Sequence, residues 1–108
     1  MYNIERTESK TIIVKGRVQR VGYRNFIKSI AFRCGINGIT RNLSNGDIEI
    51  FIKGSNSVIN EFISLLDKDM PEKAVVECIA IYSDGEEGYR GAWRPLFDSF
   101  QVDWHDGK

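Results

Sequence analysis

The sequence predicts an α+β fold, in which a single sheet carries two helices on one face. Five short stretches alternate apolar and polar residues, as strands do, and two further stretches repeat apolar residues at steps of three and four, as helices do. These stretches come in the order β-α-β-β-α-β, with one further C-terminal strand. The economical packing for that order is the ferredoxin-like split βαβ arrangement, a mixed and mostly antiparallel sheet.

The first strand and the first helix flank a glycine-bounded loop. Strand periodicity covers residues 11–18, and Gly16 within it indicates either a bend or the close approach of another segment. Helix periodicity then extends from Tyr23 to Cys34, and Gly35 stands at a helix-ending position. The loop between these two elements therefore leads directly into the start of a helix.

The later elements are separated by turn and cap residues. Ser-Asn-Gly at residues 44–46 predicts a tight hairpin, because Asn and Gly tolerate positive φ. Ser55 is the expected N-cap of the second helix, and Pro71 lies beyond the end of that helix. The remaining strands are predicted at residues 36–43, 47–53, 74–82 and 99–104, with a Gly-, Glu- and Arg-rich loop at 83–95.

The composition is that of one ordinary globular domain. The 108 residues are 42% hydrophobic and 28% charged, and the 15 Lys and Arg balance the 15 Asp and Glu. The resulting net charge of zero argues against a nucleic-acid-binding protein. No apolar run approaches the ~20 residues of a membrane span, and we expect a cytoplasmic protein. We expect a loose polar segment at 1–9, the domain at 10–104 and a frayed tail at 105–108.

The loop before the first helix predicts an anion-binding site. Backbone N–H groups at a helix N-terminus point outward and carry partial positive charge. Arg24, in the first turn, adds a guanidinium that matches phosphate geometry. Because the helix crosses over between the first two strands, these strands are parallel and end on the same side of the sheet. We therefore expect the loop, Arg24 and residues 41–42 to be neighbours.

Two motifs resemble the signatures of the acylphosphatase family. Residues 16–24 read GRVQRVGYR and resemble G-x-V-Q-G-V-x-(F/Y)-R, and residues 38–46 read GITRNLSNG and resemble G-x-(V/T)-x-N-x-x-(D/N)-G. The spacing of the motifs, the chain length and the element order are similar too. The resemblance covers roughly residues 10–104. It implies hydrolysis of the carboxyl–phosphate anhydride of acylphosphates, to a carboxylate and inorganic phosphate, without a metal or another cofactor.

The resemblance also implies roles for particular residues. By position, Arg24 is the phosphate-binding arginine and Asn42 is the asparagine that orients the attacking water. The backbone amides of the loop form the phosphate cradle, and they belong to Gln19, Arg20, Val21, Gly22 and Tyr23.

The chemistry of the reaction is consistent with so few functional groups. Cleavage of an acylphosphate at phosphorus expels a carboxylate, whose conjugate acid has a pKa of about 4 to 5. Such a leaving group needs no general acid, so the enzyme has to hold the phosphoryl oxygens and align a water. An arginine, backbone amides and a neutral side-chain amide suffice for that.

Arg20 departs from the family pattern, which has glycine at that position. If the position requires φ > 0, a side chain there costs about 1 kcal/mol or more. The arginine either overhangs the phosphate site or points to solvent and adds favourable potential. We expect it to affect efficiency rather than the fold.

Several other residues have plain structural interpretations. Lys15, Arg17 and Arg41 read as solvated charges, and Trp93 and Trp104 as packing residues. Cys34 and Cys78 lack metal-type spacing and read as reduced and partly buried, and His105 reads as incidental.

Two classes of function remain open on the residues alone. One is a metal-independent acylphosphate hydrolase that acts as a monomer on a small molecule. The other is a catalytically weak or inactive module of the same fold that binds an anion or a nucleic acid. Against nucleic acid, the sequence shows no paired aromatic motif of the kind on which bases stack.

Overall fold

Five strands and two helices build the described part of the chain, residues 6–104 of a computed structural model. In chain order they are β1 (Thr7–Arg17), α1 (Tyr23–Cys34), β2 (Asn37–Asn42), β3 (Ile48–Ser55), α2 (Asn56–Ser64), β4 (Val75–Ser83) and β5 (Gln101–Asp103). The strands form one sheet in the order β4-β1-β3-β2-β5. The β2–β5 pair is parallel and the other neighbouring pairs are antiparallel, which confirms the predicted mixed sheet and the α+β fold class.

One face of the sheet and the two helices enclose the core. β3 contributes Ile48, Ile50 and Ile52, and all three are fully buried. The β1–β3 register places Ile12 and Val14 on the same face. Burial of each such side chain contributes about 1.5–3 kcal/mol. The helices complete the core with Tyr23, Ile27, Ile30, Ala31, Ile59 and Phe62.

The loop between β4 and β5 covers part of the opposite face of the sheet, called here the outer face. Tyr89 packs edge-on against Phe51 of β3, with ring centroids 6.2 Å apart. The backbone N–H of Arg90 donates to Thr11 Oγ1 of β1 at 3.0 Å, and the hydroxyls of Tyr89 and Ser9 lie 2.6 Å apart. The segment predicted only as a loop therefore has a packing role.

The first strand begins earlier than the sequence predicted. Thr7 and Ser9, which belong to the segment expected to be loose, pair with Ser55 and Lys53 of β3. The expectation that these residues are loose is wrong, because backbone pairing on the sheet orders polar residues that have no apolar pattern of their own. The expectations for residues 1–5 and for the tail at 105–108, including His105, lie outside the described residues.

The two cysteines are free thiols in different environments. Cys34 is half-buried and packs against the core, as expected. Cys78 is exposed, which corrects the expectation of partial burial. It lies on β4, an edge strand whose outer face the loop covers only in part.

Both sequence interpretations of Gly16 are confirmed. The register of β1 with β4 shifts between Lys15 and Gly16, which is a β-bulge. Gly16 has φ of 138°, and a Cβ atom there would lie 2.0 Å from the carbonyl oxygen of Val75. Only glycine allows this strand to bend while β4 approaches so closely.

Candidate active site

The loop from residue 18 to residue 22 is attached to the β2–β3 turn. Val18 is buried in the core, and the side chain of Gln19 donates from Nε2 to the carbonyl oxygens of Leu43 at 2.7 Å and Asp47 at 2.8 Å. The Gln19 side chain is thus committed to the turn, and only its backbone is available to a ligand. These contacts hold the loop at the end of the sheet where β1 and β2 both terminate.

Two left-handed positions, on either side of Val21, shape the start of α1. Arg20 has φ of 62° and Gly22 has φ of 81°. Gly22 is the N-cap of α1, and no side chain caps the first-turn N–H groups of this helix. No acidic residue lies in that turn either. Such a helix start is suited to an anion, because its donors are not satisfied by a side-chain cap and its dipole favours negative charge.

Arg24 extends from α1 towards the end of β5. Its Nη1 donates to the backbone carbonyl oxygen of Asp103 at 3.0 Å, and its guanidinium lies 4.7 Å from the ring centroid of Trp104. A carbonyl oxygen and an aromatic face both stabilise a guanidinium without neutralising its charge. These two contacts therefore orient the Arg24 guanidinium at the end of β5.

Asn42 is the last residue of β2 and is 2% exposed. It pairs with Ile48, whose side chain lies in the core under the helices, so Asn42 faces the same side of the sheet as α1. Arg41, the residue before Asn42, pairs with Asp103 of β5 on the other side of β2. The predicted proximity of the loop, Arg24 and residue 42 at one rim follows from this strand order.

A cavity of about 190 Å³ lies at this rim. Among the residues that line it are the guanidinium-bearing Arg20 and Arg24, and within residues 6–104 no acidic residue lines it. The described lining consists of Val18, Arg20, Gly22, Tyr23, Arg24, Asn25 and Trp104. Gln19, Val21 and Asn42 are not in the lining; Val21 packs against the core and Asn42 lies buried at the end of β2.

Tyr23 supports the site from below. Its side chain is buried, and its hydroxyl donates to the carbonyl oxygen of Leu66 at 2.8 Å. Burial, and to a smaller extent the charge of Asp67, raises the pKa of this hydroxyl far above its usual range. The phenol is therefore neutral, and its side chain has a structural role.

Two sequence interpretations near the site are corrected. Arg41 is not a solvated charge: its Nε and Nη2 donate to Glu49 Oε1 at 3.0 and 2.8 Å, and Trp93 stacks on its guanidinium at 4.1 Å. Trp104 is not a packing residue, since its side chain is 59% exposed and lies on Arg24. Both errors arise because the β2–β5 pairing and the loop over the outer face join segments far apart in sequence.

Sequence reasoning also missed Asp103 as the residue that accepts from Arg24. A backbone carbonyl leaves no mark in a sequence, because every residue has one. The one sequence pattern that bears on this contact was the alternation of Phe100, Val102 and Trp104, which predicts a strand with these three residues on one face. That alternation agrees with the structure, where Phe100 packs near Phe62 of α2 and Trp104 lies over α1.

Comparison with known proteins agrees with the motifs. A family model for acylphosphatase matches residues 10–94. The chain belongs to the acylphosphatase family. An acylphosphatase of Caldivirga maquilingensis is 40% identical over 82 residues, covering 74% of this chain and 85% of its own. One from Thermus thermophilus is 37% identical over 79 residues, covering 73% of this chain and 89% of its own.

Solved structures of other proteins share the fold. The acylphosphatase from Bacillus subtilis has a TM-score of 0.72 at 26% identity, over 89% of this chain and 98% of that one. Full-length HypF, in its phosphate- and nucleotide-bound form, has a TM-score of 0.75 at 25% identity, over 97% of this chain but only 13% of HypF. The family relationship identifies the chain as an enzyme that hydrolyses a small-molecule acylphosphate and releases inorganic phosphate.

Two other features are absent from residues 6–104. No helix there is long and apolar enough to span a membrane. No group of three or more His, Cys, Asp or Glu side chains there is arranged to hold a metal ion.

Proposed function

We propose that acylphosphate hydrolysis takes place at the rim formed by the 18–22 loop, Arg24 and Asn42. The observation that carries this proposal is the oriented guanidinium of Arg24 beside the start of α1, where the N-cap Gly22 offers no side-chain cap, in a cavity whose described lining residues include no acidic one. The phosphoryl group occupies the cradle of backbone amides from Gln19 to Tyr23, and Arg24 binds its oxygens. Preorganised donors of this kind stabilise the charge that develops on those oxygens.

Asn42 orients the attacking water in this mechanism. Its side-chain amide has a donor and an acceptor, so it can hold a water in line with the bond that breaks. The water oxygen forms a bond to phosphorus, and the bond from phosphorus to the acyl oxygen breaks with its electron pair leaving on the carboxylate. Because Asn42 is a poor base, one water proton passes to a phosphoryl oxygen and the other stays on the attacking oxygen. The products are a carboxylate and inorganic phosphate.

We further propose that the reaction requires no metal and that the enzyme acts as a monomer in the cytoplasm. The leaving carboxylate is a weak base, which removes the need for a Lewis acid at that oxygen. The 18–22 loop, Arg24 and Asn42 supply every group that the proposed steps use, so these steps require no residue from a second copy of the chain. The formal net charge of zero does not favour nucleic acid as a partner.

The test is hydrolysis of benzoyl phosphate in the presence of a chelator. Arg24→Ala and Asn42→Ala should each lower kcat/KM by about a hundredfold or more, as expected for loss of a preorganised transition-state contact. Arg33→Ala removes an exposed arginine from the last turn of the same helix and should leave kcat/KM unchanged. Thermal unfolding of each variant checks that it is folded.

The result can contradict the proposal in three separable ways. A folded wild type without turnover would exclude hydrolysis and favour an anion-binding module. Full activity of Arg24→Ala, at the level of Arg33→Ala, would place the site elsewhere. Loss of wild-type activity on chelation, restored by a divalent cation, would reject metal independence.

A further inference from the structure

We propose that four residues near the outer face of the sheet hold Arg24 in its binding position, and we name them the anchor network: Glu49, Arg41, Trp93 and Asp103. This inference rests on the proposed role of Arg24 as the phosphate-binding residue. None of the four touches the cavity at the rim. They act through the carbonyl oxygen of Asp103, which accepts the hydrogen bond from Arg24.

The network starts at a carboxylate buried inside the protein. The Glu49 side chain is fully buried, and its Oε1 accepts from Arg41 Nε at 3.0 Å and Nη2 at 2.8 Å. Arg90 Nη1 lies 3.7 Å from the same oxygen. A buried carboxylate is stable only with such charged partners, so it strongly restricts where the Arg41 guanidinium can lie.

Trp93 continues the network from Arg41 to β5. Its ring lies over the Arg41 guanidinium at 4.1 Å, and its Nε1–H donates to Asp103 Oδ2 at 3.1 Å. The stacking sets the plane of the indole, and the indole then directs its one donor at Asp103. A hydrogen bond to a carboxylate is among the stronger neutral-donor contacts in proteins.

Asp103 connects the outer face with the face that carries the helices. Its side chain is bonded to Trp93, while its backbone carbonyl accepts from Arg24 Nη1 at 3.0 Å. β5 is only three residues long and, among the strands of residues 6–104, lies at the edge of the sheet and pairs with β2 alone. A strand this short has few backbone bonds to define its end, so the Asp103 side chain determines where the carbonyl lies.

The inference follows from these contacts together. If Trp93 no longer holds Asp103, the acceptor of Arg24 shifts and the guanidinium loses its alignment with the phosphoryl oxygens. Small displacements of a positioned group, of the order of 1 Å, can lower the rate by as much as about a hundredfold. The anchor network is thus a set of positioning residues, none of which contacts the substrate.

The deciding variant is Trp93→Phe, which keeps an aromatic ring over Arg41 and removes the donor to Asp103. We expect kcat/KM for benzoyl phosphate to fall about tenfold, with the melting temperature nearly unchanged. The matched control is Tyr89→Phe, which removes another side-chain hydrogen bond of the same loop, the one to Ser9. We expect this control to stay within about twofold of wild type.

Two further variants and one spectroscopic signal separate positioning from general stability. Asp103→Asn keeps an acceptor oxygen and should retain most activity, whereas Asp103→Ala should behave like Trp93→Phe. The Nε–Hε signal of Arg24 in NMR spectra, assigned by its loss in Arg24→Ala, should shift or broaden in Trp93→Phe and Asp103→Ala. It should remain unchanged in Tyr89→Phe.

The inference is overturned if Trp93→Phe and Asp103→Ala both match the Tyr89→Phe control. It is also overturned if activity falls while the Arg24 signal stays unchanged, or if the loss only follows unfolding of the protein. Absence of turnover in the wild type would instead reject the proposed function. In that case the Arg24 signal still decides whether the network positions this arginine.

Discussion

Arg20 has a strained backbone conformation, and its side chain lies at the rim of the cavity. Its φ of 62° confirms that this position requires the left-handed conformation, for which the family pattern has glycine. Its side chain is exposed and lines the rim of the cavity beside Arg24. Among the described residues it takes part in no ion pair that would neutralise it. We therefore favour the alternative in which Arg20 adds positive potential for an anionic substrate.

The variant Arg20→Gly should separate these two effects. Relief of the left-handed strain should raise the free energy of unfolding by about 1 kcal/mol. Loss of the charge should lower kcat/KM about threefold at low salt, with a smaller difference at high salt because the charge is exposed. Denaturant unfolding and benzoyl phosphate kinetics at two ionic strengths measure both. Faster turnover in the variant would show that the arginine obstructs the site.

At the scale of elements, the β-bulge in β1 lies directly before the 18–22 loop. At Gly16 the backbone of β4 approaches β1 closely, and three residues later the Gln19 side chain bonds the loop to the β2–β3 turn. Val18, which lies between Gly16 and Gln19 in sequence, is buried in the core. These contacts together fix the position at which α1 starts. The geometry of the site therefore depends on the β-bulge as well as on the motif residues.

The variant Gly16→Ala should destabilise the protein by more than about 1 kcal/mol, because the residue is held at positive φ against a backbone carbonyl. Gly54→Ala is the matched control: it lies in β3, and its added Cβ would meet only the Ile36 side chain, at 3.4 Å. Denaturant midpoints of the two variants give the comparison. Equal stability of both would refute the account of the bulge.

At the scale of the whole molecule, one buried phenol joins the active-site helix to the chain beyond α2. The hydroxyl of Tyr23 donates to the carbonyl oxygen of Leu66, and the ring belongs to the core. Burial raises the pKa of this hydroxyl in the folded protein above the value of about 10 expected in the unfolded chain. The free energy of unfolding therefore depends on the ionisation of the Tyr23 side chain.

Stability should fall in alkaline solution for this reason. Above pH ~10 the unfolded chain releases the Tyr23 proton while the folded protein retains it, so the unfolding free energy decreases by up to about 1.4 kcal/mol per pH unit. Below that pH both states are protonated and the contribution is constant. Denaturant unfolding at several alkaline pH values should show a shallower decline for Tyr23→Phe than for Tyr82→Phe, a half-exposed control. Equal declines would contradict the linkage.

Much of this protein follows from local patterns in its sequence. The two helices, the hairpin turn and the Ser55 cap, whose Oγ accepts from the Val58 N–H, were all predictable because each depends on neighbouring residues. The family motifs, and the parallel direction of β1 and β2 that follows from the helix between them, also predicted that Arg24 and Asn42 lie at one rim of the sheet. The backbone strain at Arg20 was also predictable, because the family pattern has glycine there and a requirement for positive φ concerns one position only.

The tertiary structure alone decided how that rim is supported. Nothing local indicates that β5 pairs in parallel with β2, that its last carbonyl accepts from Arg24, or that Trp104 lies on the guanidinium. The sequence predicts a solvated charge at Arg41, because alternate strand positions face solvent unless a distant loop covers them, but in the structure this guanidinium binds Glu49. Register and burial are set by contacts between segments far apart in the chain, and a local pattern carries no information about such contacts.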